Sequence, residues 1–426
     1  MSKVTISQVN SFSLNISDIA PDKSISHRSA MFSMLADGQS RITNFLRAED
    51  TMNSLNIVKN LGACVEDDGE TITISSQGIK EPFEILDCGN SGTGMRLFCG
   101  LLSSANGHFV LTGDKYLRSR PMKRVTKPLM EIGAKFDGRD EANLAPLSVR
   151  GSSLKAFNYD SKIASAQVKS CMILAALRAD GECTYTEPEL SRDHTERMLK
   201  GMGADVVVDG LKTTIKPMKK LLNPLSIRVP ADPSSAFFFA VAAAITPDAD
   251  VTLEGITLNP TRIEAFKALE RMGANISYTQ TDNKYEPLGN IRVQYAPLKA
   301  ITVDDNISWL IDELPALSIA FACAQGTSVV KNAEELRVKE SDRISTVVDG
   351  LNACGITTTE YDDGYTVTGG TLQSATVDSD GDHRIAMSFI IAGLRSGMVV
   401  TDLECINTSF PNFFDILQRI TTLKID

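Results

Sequence analysis

The sequence lacks several features that would assign it to a common class of protein. Its longest apolar run, residues 236–245, has about half of the roughly 20 residues that a helix needs to span a bilayer, so it predicts a core helix instead. The amino terminus has no apolar h-region, and we expect no secretory signal. The net charge of −10 disfavours nucleic-acid binding, which requires a basic surface. These absences favour a cytoplasmic globular protein.

Metal and disulfide signatures are also missing. The eight cysteines occur singly, without C-x-x-C, and the four histidines are dispersed, without H-E-x-x-H. This pattern is typical of reduced, mostly buried thiols and disfavours a disulfide framework or a structural metal site.

What the sequence does contain is internal repetition. An amphipathic helix that ends in Gly-Ala recurs at Gly62, Gly133, Gly203 and Gly273, at spacings of 70 or 71 residues. Each copy follows a helix of small apolar residues, a turn and a β-rich stretch, and two later copies have altered spacing. We predict six α-β-α-β units in two groups of three, as expected for 426 residues, which exceed one core. The proline-rich segment 216–235 is the candidate boundary.

Charged residues stand where these apolar helices begin. Lys23 and Arg28 open the first of them, although a cation at a helix N-terminus costs about 0.3–1 kcal/mol unless an anion lies nearby. If equivalent helices run parallel, their charged starts converge and would surround a small polyanion. We therefore predict that the missing anion is a substrate phosphate or carboxylate. Similar polar openings occur at 88–96, 118–120, 165–170, 191–198, 312–313, 333–344 and 382–384.

Taken singly, these openings are ambiguous. The glycine-rich turn at 88–96 matches neither a Walker P-loop nor G-x-G-x-x-G and is equally compatible with a structural role. The charge run at 333–344 is also compatible with a solvated helix start.

Taken in order, the openings resemble the motifs of the 5-enolpyruvylshikimate-3-phosphate synthase family. The resemblance implies an α/β (α+β) fold, a two-domain inside-out α/β barrel with six βαβαββ units, three per domain, and helix N-termini that face the interdomain cleft. It implies an N-terminal lobe at 21–230 and a C-terminal lobe at 1–20 and 231–426, so that the chain passes between the two lobes twice. The motifs are DKSISHR, GNSGTGMR, RSRPM, SAQVKS, SRDHTE, DELPAL, RVKESDR and DHRIAM.

The resemblance also implies a reaction. The enolpyruvyl group of phosphoenolpyruvate would pass to the 5-hydroxyl of shikimate 3-phosphate by addition and elimination, with release of phosphate and without metal or organic cofactor. This step belongs to the shikimate pathway to chorismate and aromatic amino acids. The enzyme is expected to be monomeric and to have no nucleic-acid or membrane partner.

The family motifs carry site residues onto this chain. We predict Asp312 as the base for the hydroxyl and Glu340 as the acid for the enol methylene, with Lys23 as the alternative proton donor. The resemblance places shikimate 3-phosphate at Lys23, Ser24, Arg28, Ser165, Ala166, Gln167, Arg192, Asp312 and Lys339. It places phosphoenolpyruvate at Lys23, Gly92, Arg120, Gln167, Arg343 and Arg384.

Two departures and one shared feature qualify the resemblance. Some members have a lysine where this chain has Thr408. Some members also have a tyrosine after Ser-x-x where this chain has SRDH, and this difference favours Arg192 over His194 as the site residue. Gly92 occupies the place where a methyl group is linked in the family to glyphosate resistance. Retention of Gly92 favours glyphosate sensitivity, whereas the motifs SAQVKS and SRDHTE resemble those of less sensitive branches.

Two other functions would account for part of the sequence pattern. The sister enolpyruvyl transferase, which acts on UDP-N-acetylglucosamine, typically has a reactive cysteine in the loop before Arg-Pro, and here that loop, residues 113–121, has none. A non-catalytic repeat protein that binds a polyanion would explain the basic helix starts. It would not explain Asp312 and Glu340, since carboxylates beside an anion site weaken binding unless they handle protons.

Overall fold

The computed structural model describes residues 2–282 and 286–426, and the chain forms two compact units. Unit 1 comprises Met1–Ala20 and Pro230–Asp426, and unit 2 comprises Pro21–Val229. Each unit contains three four-stranded sheets and its own set of buried helices.

The elements follow one another in a repeating order. The helices are α1 Lys23–Ser33, α2 Glu49–Asn60, α3 Gly92–Leu102, α4 Lys123–Glu131, α5 Arg139–Ala142, α6 Ala166–Ala176, α7 His194–Gly201, α8 Pro233–Ile245, α9 Glu264–Arg271, α10 Ile307–Leu310, α11 Leu314–Ala322, α12 Arg343–Ala353, α13 His383–Ser396 and α14 Phe413–Leu417. Short 3-10 helices span Leu117–Ser119, Glu334–Val338 and Glu404–Thr408. The strands are β1 Lys3–Ile6, β2 Ser13–Ile16, β3 Gln39–Thr43, β4 Cys64–Asp67, β5 Thr71–Ser75, β6 Leu86–Asp87, β7 His108–Thr112, β8 Lys135–Gly138, β9 Leu144–Arg150, β10 Asn158–Asp160, β11 Cys183–Thr186, β12 Val206–Asp209, β13 Lys212–Ile215, β14 Ser226–Arg228, β15 Asp250–Thr257, β16 Asn275–Asp282, β17 Leu288–Gln294, β18 Thr302–Val303, β19 Thr327–Val330, β20 Thr357–Tyr361, β21 Gly364–Thr368, β22 Thr376–Asp378, β23 Met398–Thr401 and β24 Leu423–Ile425.

All six sheets share one topology. In each sheet one edge strand pairs in parallel with its neighbour, and the other two pairings are antiparallel. A parallel pair needs a crossover connection, and a buried helix supplies it where the paired strands are consecutive, as α3 does between β6 and β7. This is the βαβαββ repeat, and the prediction of six units is confirmed. The sheets of unit 2 run β14-β3-β5-β4, β6-β7-β9-β8 and β10-β11-β13-β12, and those of unit 1 run β16-β17-β15-β2, β18-β19-β21-β20 and β22-β23-β1-β24.

The two N-terminal strands complete sheets of unit 1. β2 pairs in parallel with β15, with Ser13 opposite Asp250, and β1 lies between β23 and β24. In unit 2 the first sheet is closed by β14, which pairs in parallel with β3 from almost 200 residues earlier in the chain, Arg41 opposite Ser226. Each unit therefore closes with a strand that is distant in sequence.

Three helices form the core of each unit, α1, α3 and α6 in unit 2 and α8, α11 and α13 in unit 1. All 13 residues of α8 are buried, which confirms the predicted core helix at 236–245. The second helix of a repeat has a single apolar face and is followed by a glycine with positive φ, +97° at Gly62 and +101° at Gly273. Glycine is favoured there because the chain leaves the helix in the left-handed region.

The structure also bears on the apolar helices and on the cysteines. No helix within residues 2–282 and 286–426 has the length and apolarity to cross a membrane. All eight cysteines are free, and five are buried, whereas Cys64 is exposed, because it lies on the edge strand β4. Five of the eight thiols are thus buried, and Cys64 is an exception.

The packing of α3 against α6 gives a stability prediction. A methyl group on Gly100 would overlap the backbone carbonyl of Cys171, and backbone cannot move aside as the end of a flexible side chain can. We expect Gly100→Ala to lower the free energy of unfolding by about 1–3 kcal/mol, as overpacking of a core typically does, despite the higher helix propensity of alanine.

Urea unfolding of the purified variant measures this effect. Gly370→Ala is the matched control, because its methyl group would lie 3.5 Å from the nearest atom, Ile356 Cδ1, and we expect a change of less than about 0.5 kcal/mol. Equal stability of the two variants would show that α3 and α6 are not in close contact at Gly100.

Candidate functional site

In unit 2 the first charged helix start already has a carboxylate beside it. Asp22 caps α1, and its side chain accepts a hydrogen bond from the Ile25 amide at 2.8 Å. Lys23 Nζ lies 2.5 Å from Asp50 Oδ2, in the first turn of α2. Asp50 is almost fully buried, whereas a quarter of the Lys23 side chain is exposed. Asp50 could not be predicted as a partner of Lys23, because it lies in no recognisable local motif.

Arg28 joins three elements of unit 2. The buried guanidinium donates to Thr195 Oγ1 at 2.7 Å, to the Ser24 carbonyl at 3.0 Å and to Ser170 Oγ at 2.9 Å. These acceptors lie on α7, α1 and α6, and all three are neutral oxygens. These contacts fix the direction of the guanidinium.

The glycine-rich turn lies against two guanidinium groups. Ser91 caps α3 by accepting a hydrogen bond from the Gly94 amide at 3.0 Å. A Cβ atom on Gly92 would lie 3.1 Å from Arg120 Nη1 and 3.3 Å from Arg96 Nη1. Glycine at this position therefore lets both guanidinium groups approach the start of α3.

Arg96 connects this turn to α6. It donates to Gln167 Oε1 in a short hydrogen bond and to the Pro121 carbonyl at 3.1 Å, and Gln167 Nε2 donates to Thr93 Oγ1 at 2.9 Å. Thus Gly92, Arg120 and Gln167, three predicted site residues, lie around one arginine. Arg96 lies in the motif GNSGTGMR, but no feature of its sequence context predicts a role for it.

The other predicted residues of unit 2 also lie at helix starts. Ser165 is the N-cap residue of α6 and Ala166 is its first residue, while Arg192 lies two residues before α7. The helix starts that carry these residues belong to the third repeat, and Arg28 contacts the same repeat through Ser170 and Thr195.

In unit 1 one arginine collects three carboxylates. Arg343, the first residue of α12, lies 2.7 Å from Asp382 Oδ2 through Nε and 3.2 Å from Asp382 Oδ1 through Nη2. It also donates to Glu340 Oε2 at 2.7 Å and to Asp312 Oδ1 at 3.3 Å. Lys339 Nζ lies 3.6 Å from Asp312 Oδ1. The four predicted residues Asp312, Lys339, Glu340 and Arg343 therefore lie together.

The electrostatics of this group follow from its burial. Burial alone would lower the pKa of Arg343, but Asp382, Glu340 and Asp312 outweigh it and hold that pKa above the usual value. Whereas Arg343 and Asp382 are buried, about a fifth of the Asp312 side chain and a quarter of the Glu340 side chain are exposed. The two partly exposed carboxylates are thus both anchored to one buried cation.

Arg384 is held at the start of α13. Its Nη1 donates to the Ser234 carbonyl at 3.1 Å, and its guanidinium lies 5.6 Å from the Phe238 ring centroid. Arg262, which the sequence did not mark, donates to Asp232 Oδ1 at 2.8 Å. Asp232 caps α8 as Asp382 caps α13, so both caps also serve as counterions of an arginine.

Thr408, at the position of the expected lysine, is the last residue of the 3-10 helix Glu404–Thr408. Thr408 Oγ1 donates to the Cys405 carbonyl at 2.7 Å, within its own turn.

The comparisons with known proteins agree with one another. The family model for EPSP synthase (3-phosphoshikimate 1-carboxyvinyltransferase) matches residues 9–417. The chain is 76% identical over 424 residues to a 3-phosphoshikimate 1-carboxyvinyltransferase of Sulfurimonas denitrificans, covering 100% of this chain and 99% of that protein. It is 63% identical over 430 residues to the protein of that name from Nitratiruptor sp., with the same coverage.

Solved structures are similar over the whole length. EPSP synthase from Acinetobacter baumannii matches with a TM-score of 0.89 at 40% identity, covering 100% of both chains. The enolpyruvyl transferase NikO from Streptomyces tendae matches with a TM-score of 0.79 at 16% identity, covering 100% of this chain and 99% of that one. The second match supports the fold alone.

The buried histidine of α1 gives a pH prediction. His27 lies between Ser54 Oγ at 2.8 Å and Ser91 Oγ at 3.2 Å. Burial, together with Lys23 and Arg28, holds its pKa well below the usual value. The unfolded chain therefore binds a proton that the folded chain excludes, so the stability contributed by neutral His27 decreases as pH falls below about 6.5.

We expect this histidine to add up to about 1.4 kcal/mol per pH unit to the acid dependence of the free energy of unfolding. Urea unfolding of wild type and His27→Asn at pH 7.5, 6.0 and 5.0 measures the difference between the two slopes. Identical slopes would mean that His27 is not held neutral in the folded protein.

Proposed function

The chain belongs to the EPSP synthase family, and from this premise we propose which of its residues carry each part of the reaction. The reaction is that of a 3-phosphoshikimate 1-carboxyvinyltransferase, in which phosphoenolpyruvate and shikimate 3-phosphate are converted to 5-enolpyruvylshikimate 3-phosphate and phosphate. It serves the synthesis of aromatic amino acids through the shikimate pathway. The monomeric state and the cytoplasmic location stay predictions.

The observation that supports the residue assignment is the group around Arg343. Asp312 lies 3.3 Å from Arg343 Nη1 and 3.6 Å from Lys339 Nζ, and these two cations stabilise its negative charge. Its side chain is partly exposed. In our proposal Asp312 accepts the proton of the 5-hydroxyl group as the hydroxyl oxygen forms a bond to C2 of phosphoenolpyruvate.

The same addition requires a proton at C3. As the π electrons of the enol form the new C–H bond, we assign the donor to Glu340, with Lys23 as the alternative. In the elimination that follows, a proton leaves C3, the double bond re-forms, and the C2–O bond to phosphate breaks with its electron pair on the phosphate. Guanidinium groups at fixed positions stabilise that charge.

The remaining residues hold the anionic groups of the substrates. We propose that Gly92, Arg120, Gln167, Arg343 and Arg384, together with Lys23, bind phosphoenolpyruvate. We propose that Ser24, Arg28, Ser165, Ala166, Gln167, Arg192 and Lys339, together with Lys23 and Asp312, bind shikimate 3-phosphate. Guanidinium groups suit both substrates, because their paired N–H donors match phosphate and carboxylate oxygens.

The proposed base is tested with Asp312→Ala in an assay of phosphate release from both substrates. We expect kcat to fall by roughly 10² to 10⁴, the usual contribution of a general base. Asp305→Ala, on the exposed segment before α10, is the control and should keep wild-type rates.

Three other outcomes would count against the assignment. A change confined to KM would mean that Asp312 only positions the substrate. If wild type released phosphate from phosphoenolpyruvate with UDP-N-acetylglucosamine as the acceptor but not with shikimate 3-phosphate, the sister enzyme would be favoured. No release with either acceptor would favour a binding protein.

The close approach of Arg120 to Gly92 gives a separate prediction. The methyl group of Gly92→Ala would lie 3.1 Å from Arg120 Nη1 and 3.2 Å from its Cζ, so the guanidinium must shift by a few tenths of an ångström. We expect KM for phosphoenolpyruvate to rise roughly tenfold, since a factor of ten is about 1.4 kcal/mol of binding. KM for shikimate 3-phosphate should change much less.

Steady-state kinetics with each substrate varied in turn separates these effects. Gly181→Ala is the matched control, because its methyl group would meet Ala156 Cβ at the same 3.1 Å, away from the arginines. An unchanged KM for phosphoenolpyruvate in Gly92→Ala would remove Arg120 from that substrate's binding residues.

A further inference from the structure

A buried lysine in unit 2 is not used by the proposed mechanism. Lys169 lies on α6 two residues after Gln167, and only 1% of its side chain is exposed. Its ammonium group contacts Glu187 Oε1 at 2.6 Å, Glu196 Oε1 at 2.9 Å and the Ser191 carbonyl at 3.1 Å. These three acceptors match the three N–H donors of a lysine. We call Lys169, Glu187 and Glu196 the buried triad.

Burial of the triad is costly in free energy, because three charged groups are removed from water. It places two carboxylates against one cation, and Glu196 Oε2 is buried without a hydrogen-bond partner in the part of the chain that the structure describes. Burial raises the pKa of Glu196. Buried charges of this kind can often be replaced by apolar side chains without loss of stability. Packing alone therefore does not explain why charged groups occupy this position.

The geometry shows what the triad holds in place. Glu187 follows β11, Glu196 lies on α7, and the irregular segment 188–193 connects them. Lys169 donates a hydrogen bond to the Ser191 carbonyl and so holds the main chain of this segment. The Ser191 side chain is held by the hydrogen bond from its Oγ to Glu187 Oε2 at 2.6 Å. Arg192 is the next residue. On the other side, Thr195 adjoins Glu196 and accepts the hydrogen bond from Arg28.

We propose that the buried triad positions Arg192, and that Lys169 is thereby a positioning residue for the binding of shikimate 3-phosphate. The inference rests on the proposed role of Arg192. Lys169 itself acts through the Ser191 main chain and does not need to touch the substrate. The expected signature is a change in KM for one substrate, whereas a general loss of structure would affect both substrates and kcat.

The test uses a variant without the charges. Lys169→Met alone would leave two buried carboxylates without a cation and would unfold the unit. The triple variant Lys169→Met, Glu187→Gln, Glu196→Gln keeps the side-chain volumes and carries no net charge. We expect KM for shikimate 3-phosphate to rise roughly tenfold, with KM for phosphoenolpyruvate and kcat within about twofold of wild type.

Two variants support the comparison. Glu196→Gln retains the Lys169–Glu187 ion pair and is expected to fold, with a smaller rise in the same KM. Lys216→Met removes an exposed lysine of the same unit that pairs with Asp205, and it should leave both KM values unchanged. Thermal unfolding of each variant shows that the measured protein is folded.

A double-mutant cycle with Arg192→Ala then isolates the coupling. If the triad acts through Arg192, adding Arg192→Ala to the triple variant raises KM for shikimate 3-phosphate no further than Arg192→Ala does alone. Multiplicative effects, or an unchanged KM in both the triple variant and Glu196→Gln, would overturn the inference while the role of Arg192 stands. If Arg192→Ala alone leaves this KM unchanged, the proposed role of Arg192 fails, and the inference fails with it.

Discussion

Charged groups removed from water need polar partners, and this constraint shapes the helix starts in both units. Arg343 is surrounded by Asp382, Glu340 and Asp312, and Lys23 is paired with Asp50. Because charges removed from water are costly unless they are paired and hydrogen-bonded, these contacts must form when the units fold. The candidate site is thus assembled by the fold itself before any substrate arrives.

The same carboxylates serve two purposes. Asp382 accepts the hydrogen bond from the Arg384 amide that starts α13, and it also holds Arg343. Asp232 caps α8 and binds Arg262 in the same way. Since the helix start and the arginine share one carboxylate, the direction of each guanidinium is tied to the position of a core helix. In unit 2 Arg28 donates hydrogen bonds to oxygens of Thr195, Ser24 and Ser170. The carboxylates proposed for proton transfer, Asp312 and Glu340, thus lie in unit 1.

Local sequence predicted the repeats well. The Gly-Ala helix ends, the core helix that runs from Pro233 to Ile245 and the six α-β-α-β units each depend on neighbouring residues, so a single sequence reveals them. The strands that close each unit come from distant parts of the chain. The proximity of Lys339, Glu340 and Arg343 also follows from their spacing. Pairings between side chains on different elements could not be predicted: Asp50 beside Lys23, Arg96 beside Gln167, and the contacts of Lys169 with Glu187 and Glu196 become visible only in the folded chain. For this reason the sequence predicts that a substrate supplies the whole counter-charge of Lys23, whereas Asp50 supplies part of it.

The central claim is that the cations held at these helix starts bind the anionic groups of the two substrates. A crystal structure of the protein with shikimate 3-phosphate and phosphoenolpyruvate bound tests it most directly. The claim predicts phosphate and carboxylate oxygens within hydrogen-bonding distance of Lys23, Arg28, Arg343 and Arg384. Substrates bound to other residues, with these four side chains contacting only protein groups, would contradict it.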